Sequence, residues 1–200
     1  LVGPDIVRIS EGPDFTIAIE GDDEAKRRMR FLLDDGALSI MRDRESWGEK
    51  DGKLATVSIT MPPPEKLAVA GSGEIHSETL ASGAEIAVAG SGTIATPSID
   101  VRSLDVNLAG SGHYSASGTA ERLDLNTAGS GNAKLGSLKV ERAKVKIAGS
   151  RNVVFASDGK VDARIMGSGN VTVRGNAKCS LKSFGSGTLN CEPGGAEGDE

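Results

Sequence analysis

The residues with the strongest claim to chemistry in this sequence are serines that recur between glycines. A glycine-rich loop binds phosphate when it opens a helix, and a serine acts as a nucleophile when a base lies within hydrogen-bond reach. Here strand-like sequence follows each copy, and a serine repeated seven times has no reason to be a nucleophile in every copy. The motif is therefore interpreted as a chain corner whose hydroxyls bond to nearby backbone groups. Its members are Gly71, Ser72, Gly73, Gly90, Ser91, Gly92, Gly110, Ser111, Gly112, Gly129, Ser130, Gly131, Gly149, Ser150, Gly167, Ser168, Gly169, Gly185, Ser186 and Gly187.

Three acidic residues form a second candidate site. Glu85, Asp105 and Asp124 each stand five residues before the first glycine of a copy. Stacked about 4.8 Å apart on one outer face, they could bind calcium or a basic partner. Amides and cations such as Lys146 occupy the row two residues further on, so a solvated charged face is the favoured interpretation.

The sequence lacks the residue patterns typical of metal, cofactor or nucleic-acid binding. His76 and His113 stand at different positions relative to their glycines, and the sequence contains no Cys-x-x-Cys motif, so we predict neither a metal site nor a cofactor. The net charge of −5 comes from well-mixed charges without a basic stretch, which argues against a nucleic-acid partner. No apolar run approaches the ~20 residues of a membrane span.

The spacing of the motif predicts the elements that carry it. The first glycines follow one another at intervals of 19, 20, 19, 20, 18 and 18 residues, which is typical of a solenoid. Apolar residues alternate with polar ones on both sides of each corner, as Leu67, Val69 and Ile75 illustrate. We therefore predict an all-β fold, a parallel β-helix of about seven turns that spans roughly 30 Å. An aromatic content of only 3% indicates a narrow aliphatic interior.

The predicted organisation has three parts. Residues 1–65 form an N-terminal β cap continuous with the solenoid, in which strands start near Phe15 and Lys53 and Asp35-Gly36 marks a hairpin. The segment EAKRRMRFLL, from Glu24, could instead begin as a short helix. Residues 66–192 form the β-helix, and residues 193–200 form a disordered acidic tail.

The two cysteines flank the last corner. Cys179 lies six residues before Gly185 and Cys191 six after it, both at positions predicted to face the interior. Facing strands of one turn could bring them together as a disulfide, which would place the protein in an oxidising compartment. Two buried thiols are the alternative. A chain that begins at Leu1 without an initiator Met fits a processed protein whose export signal is missing.

Several segments carry a family resemblance. The corners preceded by Val/Leu-x-Val-Ala, the segment GALSIMRD and the segment VSITMP resemble the head GIN domain family of autotransporter adhesin heads, from about Asp5 to Cys191. The resemblance implies a right-handed β-helix in a periplasmic, outer-membrane-associated or extracellular bacterial protein, and it supplies no catalytic residues. The fifth copy departs from the motif at Arg151. If the third position needs a positive φ, that corner should be strained.

These observations predict a non-enzymatic, exported recognition or structural module. Its expected partner is a protein or glycan of the cell envelope or surface. A carbohydrate-active enzyme, resembling polysaccharide lyases or hydrolases, is the first alternative, but it would need paired carboxylates and exposed aromatics. Trp47 and Tyr114 are the only Trp and Tyr, and Tyr114 falls in an inward row. End-to-end self-assembly into a homo-oligomer is the second alternative.

Overall fold

The computed structural model describes residues 1–43 and 53–192, so Trp47 and the predicted tail at 193–200 lie outside the described residues. Within those ranges the chain forms strands and one short helix. In chain order the elements are β1 (Ile6–Glu11), β2 (Thr16–Gly21), α1 (Asp23–Arg28), β3 (Met29–Asp34), β4 (Ala37–Arg42), β5 (Ala55–Met61), β6 (Lys66–Gly71), β7 (Glu74–Ser77), β8 (Gly83–Gly90), β9 (Thr93–Gly110), β10 (His113–Gly129), β11 (Asn132–Gly149), β12 (Asn152–Ala156), β13 (Lys160–Gly167), β14 (Asn170–Arg174), β15 (Lys178–Phe184) and β16 (Thr188–Glu192).

Two columns of parallel strands build a solenoid of about seven turns, which confirms the predicted fold. In the column before the corners, β6, β8, β9, β10, β11, β13 and β15 pair in that order. The first glycines of successive corners pair with one another, as Gly71 does with Gly90 and Gly149 with Gly167. The 18-to-20-residue spacing therefore closes one turn. Turns are numbered one to seven by these glycines, from Gly71 to Gly185.

The interior is a column of aliphatic side chains. The positions four and two residues before each first glycine are buried in turns one to six, from Leu67 and Val69 to Ile165. Tyr114, Phe155 and Arg151 are the large exceptions among the fully buried side chains, and the Tyr114 hydroxyl lies 2.9 Å from Thr96 Oγ1. In turn seven Leu181 is 40% exposed, since no later described turn covers it.

The two glycines of a corner meet different demands. The first glycine has a positive φ in all seven corners, between 98° and 129°. The third position has no positive φ, but it points into the interior. A Cβ on Gly112 would lie 2.5 Å from Val88 Cγ1 and 2.7 Å from the Gly92 carbonyl oxygen. The strain anticipated at Arg151 therefore does not arise from φ, because the left-handed conformation belongs to the first glycine.

The serines contribute backbone rather than hydroxyl bonds to the corners. The N–H of Ser91 donates to the Gly71 carbonyl at 2.9 Å, and the N–H of Ser168 donates to Gly149 at 3.0 Å. The hydroxyls are exposed, and the described residues show one hydroxyl bond along the row, from Ser186 to Ser168 at 3.1 Å. This differs from the expected hydroxyl-to-backbone bonds, because stacking of the turns already satisfies the corner carbonyls.

The N-terminal strands extend the column that follows the corners. β1 lies between β7 and β5 in parallel pairing, and β2 closes this end by pairing antiparallel with β5. The expected hairpin joins β3 and β4, with Asp35 and Gly36 at φ 46° and 76°. The segment before it begins as the short helix α1, the alternative outcome for that stretch. Asp22 caps α1 by accepting a hydrogen bond from the Glu24 N–H at 2.9 Å.

A degenerate corner precedes the seven regular ones. Gly3 has a φ of 131° and lies under Gly71, while the Glu74 N–H donates to the Asp5 carbonyl at 3.0 Å. Asp5 thus takes the third, inward position. Its buried carboxylate accepts two hydrogen bonds from Arg42, at 2.7 and 2.9 Å, and one from the Ala55 N–H at 2.9 Å.

The predicted disulfide is confirmed in turn seven. Cys179 and Cys191 are bonded, with their Cα atoms 6.8 Å apart. Their partners in the turn before, Val161 and Val173, are fully buried, so the cysteines continue two inward columns. Both are nevertheless partly or fully exposed, because no further described turn stacks on them.

Candidate functional site

A groove runs along the outer face of the strands that precede the corners. It crosses turns two to seven and has a volume of about 870 Å³, within the usual range for small-ligand sites. Alternation along each strand turns outward the residues one and three positions before the first glycine, and these form the groove. Their backbone is fixed by parallel pairing on both sides, so the surface is rigid from turn two to turn six.

Small and apolar side chains form the floor of the groove. They occupy the position directly before the first glycine and are alanines until turn five, after which larger residues take over. Met166 is 59% exposed and Phe184 is 77% exposed. We call this set the apolar row: Ala89, Ala109, Ala128, Ala148, Met166 and Phe184.

Cations line the other side of the groove in its last three turns. Lys146 pairs in register with Arg164, and Arg164 with Lys182, so the three side chains stack about 4.8 Å apart. We call them the cation row. None makes an ion pair within the described residues, and the adjacent Asp162 carboxylate lies 3.3 Å from Lys160 Nζ. In turns three and four, Asn107 and Asn126 take the equivalent position.

The predicted acidic residues do stack, but outside the groove. Glu85 pairs with Asp105 and Asp105 with Asp124 in register. Cations end the row on both sides, because Lys66 Nζ lies 3.0 Å from Glu85 and Lys144 follows Asp124 in register. In the described ranges no three His, Cys, Asp or Glu side chains are grouped to hold a metal ion.

The histidines and the remaining charges lie elsewhere on the surface. His76 Nε2 is 3.4 Å from Glu74 Oε2, and His113 is exposed. A second cleft of about 330 Å³ is lined by Arg102, Arg122 and Arg142 together with two acids, Glu121 and Glu141. Mixed charges of this kind favour internal compensation over capture of a charged ligand.

Arg151 carries the one non-glycine third position among the seven corners, and its side chain is fully buried. Its guanidinium donates to the carbonyls of Gly112 at 2.7 Å and Gly110 at 2.9 Å, so it crosses two turns inside the coil. Desolvation lowers the pKa of the group. Its Nε and the Thr127 hydroxyl are buried without a hydrogen-bond partner among the described residues. Because the guanidinium lies inside the coil, its role is to link neighbouring turns and not to bind a ligand from solvent.

The groove was not among the sites predicted from the sequence. Only Trp and Tyr were weighed as residues that stack on sugar rings, whereas the exposed aromatic residue of the groove is Phe184. The available signal was the alanine that precedes the first glycine in five successive copies, beginning with Ala70. A row of methyl groups at an outward position predicts a shallow apolar channel along the axis.

Comparisons with known proteins agree with the architecture. The family model described as "Putative auto-transporter adhesin, head GIN domain" matches residues 1–177. No curated protein matches the sequence significantly.

Among solved structures, a putative adhesin from Bacteroides fragilis has 22% identity and a TM-score of 0.83, over 95% of this chain and 89% of that chain. A putative lipid binding protein from Parabacteroides distasonis has 22% identity and a TM-score of 0.75, over the same shares. A putative adhesin from Parabacteroides merdae has 17% identity and a TM-score of 0.70, again over 95% and 89%. At these identities the structures share the fold alone.

The helix α1 has six residues, and no helix in the described ranges has the length and apolarity needed to span a bilayer.

Proposed function

Since the chain belongs to the head GIN domain family, we propose that it is an exported, non-enzymatic module that recognises a component of the bacterial envelope or of a surface. Family membership and the Cys179–Cys191 disulfide both indicate export. The periplasm, the outer membrane surface or the extracellular space is the proposed location. Adhesin and lipid-binding descriptions of structures with this fold are compatible with a binding role.

The groove is the observation that supports recognition most directly. The interior of the coil is filled by side chains, so any ligand must bind on the outside. The groove is larger than the arginine-lined cleft, and it combines an apolar floor with three cations that lack ion-pair partners in the described residues. Apolar area beside a few polar groups is typical of small-ligand sites.

The chemistry of the groove favours binding over catalysis. The part of its lining that the structure describes contains no carboxylate, whereas glycan cleavage of the kind found on β-helices uses paired carboxylates. Glu121 and Glu141 line the other cleft, where no aromatic side chain lies beside them. The non-enzymatic assignment rests on this arrangement.

A binding array tests the proposal. The purified chain is applied to bacterial and host glycans, envelope lipids and surface proteins, and reducing ends are assayed in parallel on the glycans. Saturable binding to one class without new reducing ends is the expected result. New reducing ends would replace the proposal with the enzyme alternative, and a wholly negative array would overturn recognition.

A second candidate function is end-to-end association of two chains. Within the described residues β15 pairs only with β13, and β16 only with β14, which leaves one edge of each without a partner strand. Unpaired edges favour addition of another strand. Light scattering over a wide concentration range should then show a dimer, and a strict monomer at the highest concentration would exclude this candidate.

A further inference from the structure

We propose that the groove binds a single-chain anionic amphiphile, with the acyl chain on the alanine floor and the anionic head among Lys146, Arg164 and Lys182. This inference rests on the proposed function, because it names the chemical class of the recognised component. It depends on three features of the groove: its charge, its length and the side chains at its cationic end.

The stacked cations of the groove favour an anionic ligand. Lys146, Arg164 and Lys182 stack in register, and like charges opposite one another on neighbouring strands destabilise a sheet. The acid nearest in sequence, Asp162, is engaged by Lys160. Among the described residues no carboxylate lines the groove, although the chain as a whole carries a net charge of −5. A bound anionic group would offset the mutual repulsion of the three cations.

Polarity changes along the groove as it does along an amphiphile. Turns two to four present Ala89, Ala109 and Ala128 together with neutral amides, and the cations begin only at turn five. The distance from turn two to turn five is three steps, about 14 Å. The acyl region of one bilayer leaflet is about 15 Å deep, half of a ~30 Å hydrocarbon core. The neutral part of the groove therefore matches the length of one acyl chain.

Met166 and Phe184 complete the cationic end. They are among the most exposed large apolar side chains in the described residues, and both belong to the groove. At this position they lie opposite Arg164 and Lys182, where they can pack on the methylenes next to an anionic head. A free inorganic anion would leave these side chains unused, since burial of apolar surface requires an apolar ligand.

A single amphiphile fits this surface better than an intact bilayer does. The cationic end carries Phe184 and long lysine and arginine side chains, whereas the floor of turns two to four carries only alanine methyls, so a flat surface would reach the cationic end but not that floor. A flexible chain can follow the floor along the solenoid axis. We therefore assign the groove to a monomeric amphiphile.

Calorimetric titration of the full chain with matched probes tests this assignment. Dodecyl phosphate, kept below its micelle concentration, supplies both tail and anion. Butyl phosphate lacks the long tail, and dodecyl maltoside lacks the charge. We expect dodecyl phosphate to bind at least about tenfold more tightly than either control probe, since both parts of the groove contribute.

Variants locate the binding within the groove. The double variant R164Q/K182Q should weaken binding of dodecyl phosphate at least about tenfold. The double variant R8Q/K134Q removes the same charge from exposed positions outside the groove and should leave the affinity unchanged. A109Q fills the floor and should weaken dodecyl phosphate and dodecyl maltoside together. Circular dichroism verifies that each variant keeps its strands.

The outcomes separate this inference from the proposed function. Equal affinity for butyl phosphate and dodecyl phosphate would reduce the site to an anion site and overturn the inference. Sedimentation with phosphatidylglycerol vesicles in the absence of monomer binding would instead assign the face to a membrane surface and also overturn it. If array binding persists in R164Q/K182Q and A109Q, the recognition function stands and the groove assignment fails.

Discussion

At the scale of single residues, the third corner position determines how a side chain can enter the coil. Glycine at this position leaves room for the aliphatic residue of the turn before, such as Val88 beneath Gly112. Two positions carry other residues, Asp5 and Arg151, and both side chains are fully buried. Their partners differ, since Asp5 accepts from the guanidinium of Arg42 whereas the two terminal nitrogens of Arg151 donate to backbone carbonyls. A charged residue is tolerated at this position because hydrogen bonds replace its lost hydration.

Arg151 and Thr127 are expected to be energetically coupled. By the repeat geometry, Thr127 lies beneath Arg151 as Val88 lies beneath Gly112, and both residues have a buried polar atom without a partner among the described residues. R151G should destabilise the protein by roughly 1–3 kcal/mol, because the Gly112 carbonyl loses its donor and a void remains. T127V in that background should restore part of the loss, as it recreates the arrangement of the other turns.

Urea unfolding of the wild type, both single variants and the double variant measures this coupling. An interaction free energy of about 0.5 kcal/mol or more is expected for residues in contact. Additive effects would show that the two departures from the repeat are independent. T96V is the contrasting variant, because the Thr96 hydroxyl is bonded to that of Tyr114, and its effect should be destabilising and independent of R151G.

Tyr114 predicts a specific pH dependence. Burial raises the pKa of its phenol, while the hydrogen bond with Thr96 acts in the opposite direction and is smaller. In the unfolded chain the pKa is about 10. Above that pH the unfolded state loses a proton that the native state keeps, so stability should fall by roughly 1.4 kcal/mol per pH unit. Below it the contribution is fully present.

Ultraviolet absorbance of phenolate tests this prediction cleanly, because Tyr114 is the only tyrosine. The phenolate signal should appear together with loss of the strand signal in circular dichroism. Ionisation near pH 10 in a chain that is still folded would contradict the burial argument. Y114F removes the signal and serves as the control for general alkaline unfolding.

At the scale of elements, each corner links two strands through two glycines with separate roles. The first allows a positive φ, as at Gly90 with φ 113°. The third allows close approach of the turn before. The serine between them faces solvent, and only its backbone N–H takes part in most corners. Substitution of the serines should therefore matter less than substitution of either glycine.

Paired glycine substitutions test the close-approach role. G112A should cost roughly 1–3 kcal/mol, because the new Cβ would lie 2.5 Å from Val88 Cγ1 and 2.7 Å from the Gly92 carbonyl. G136A is the matched control, since its Cβ would meet nothing closer than 3.8 Å and its φ is ordinary. Thermal unfolding compares the two. Equal stability of both variants would show that the corners can relax around a methyl group.

At the scale of the whole molecule, stability accumulates through stacking of neighbouring turns. Turns two to six are covered on both sides, whereas turn seven is covered on one side in the described residues. At the opposite end β2 closes the column, and the buried Asp5–Arg42 pair fixes the degenerate corner to β4. The two ends are therefore stabilised by different means, an antiparallel strand at one and a disulfide at the other.

Hydrogen exchange should reveal this asymmetry. We expect slow exchange in turns two to five and faster exchange in β15 and β16, because one-sided stacking permits local opening. Replacing both cysteines by serine should make exchange in turn seven faster still, since closing a loop of this length contributes about 3 kcal/mol. A reductant should reproduce the effect in the wild type and leave the variant unchanged. Uniform protection along the chain would contradict the stacked-turn description.

The repeat and the inward rows follow from the amino-acid sequence alone, and the sequence favoured a disulfide over two buried thiols. With a period near 19, the first glycines of successive turns can pair in register in only one way. Alternation along the strands then places Leu67, Val69 and Ile75 in the interior. The same register accounts for the disulfide, because both cysteines occupy inward columns of one turn. The helix α1 was less evident, since its few residues depend on the Asp22 cap more than on any long periodic pattern.

The location of a ligand site and the role of the irregular corners emerge only from the folded coil. The groove exists because outward residues from six turns are brought side by side, a relationship that no single turn contains. Likewise, the sequence marked Arg151 as a departure, but only the stacked turns reveal that its side chain points inward to the carbonyls of Gly110 and Gly112. Local alternation fixes which face a residue takes, whereas a site depends on neighbours that are distant in sequence and adjacent only after the coil has closed.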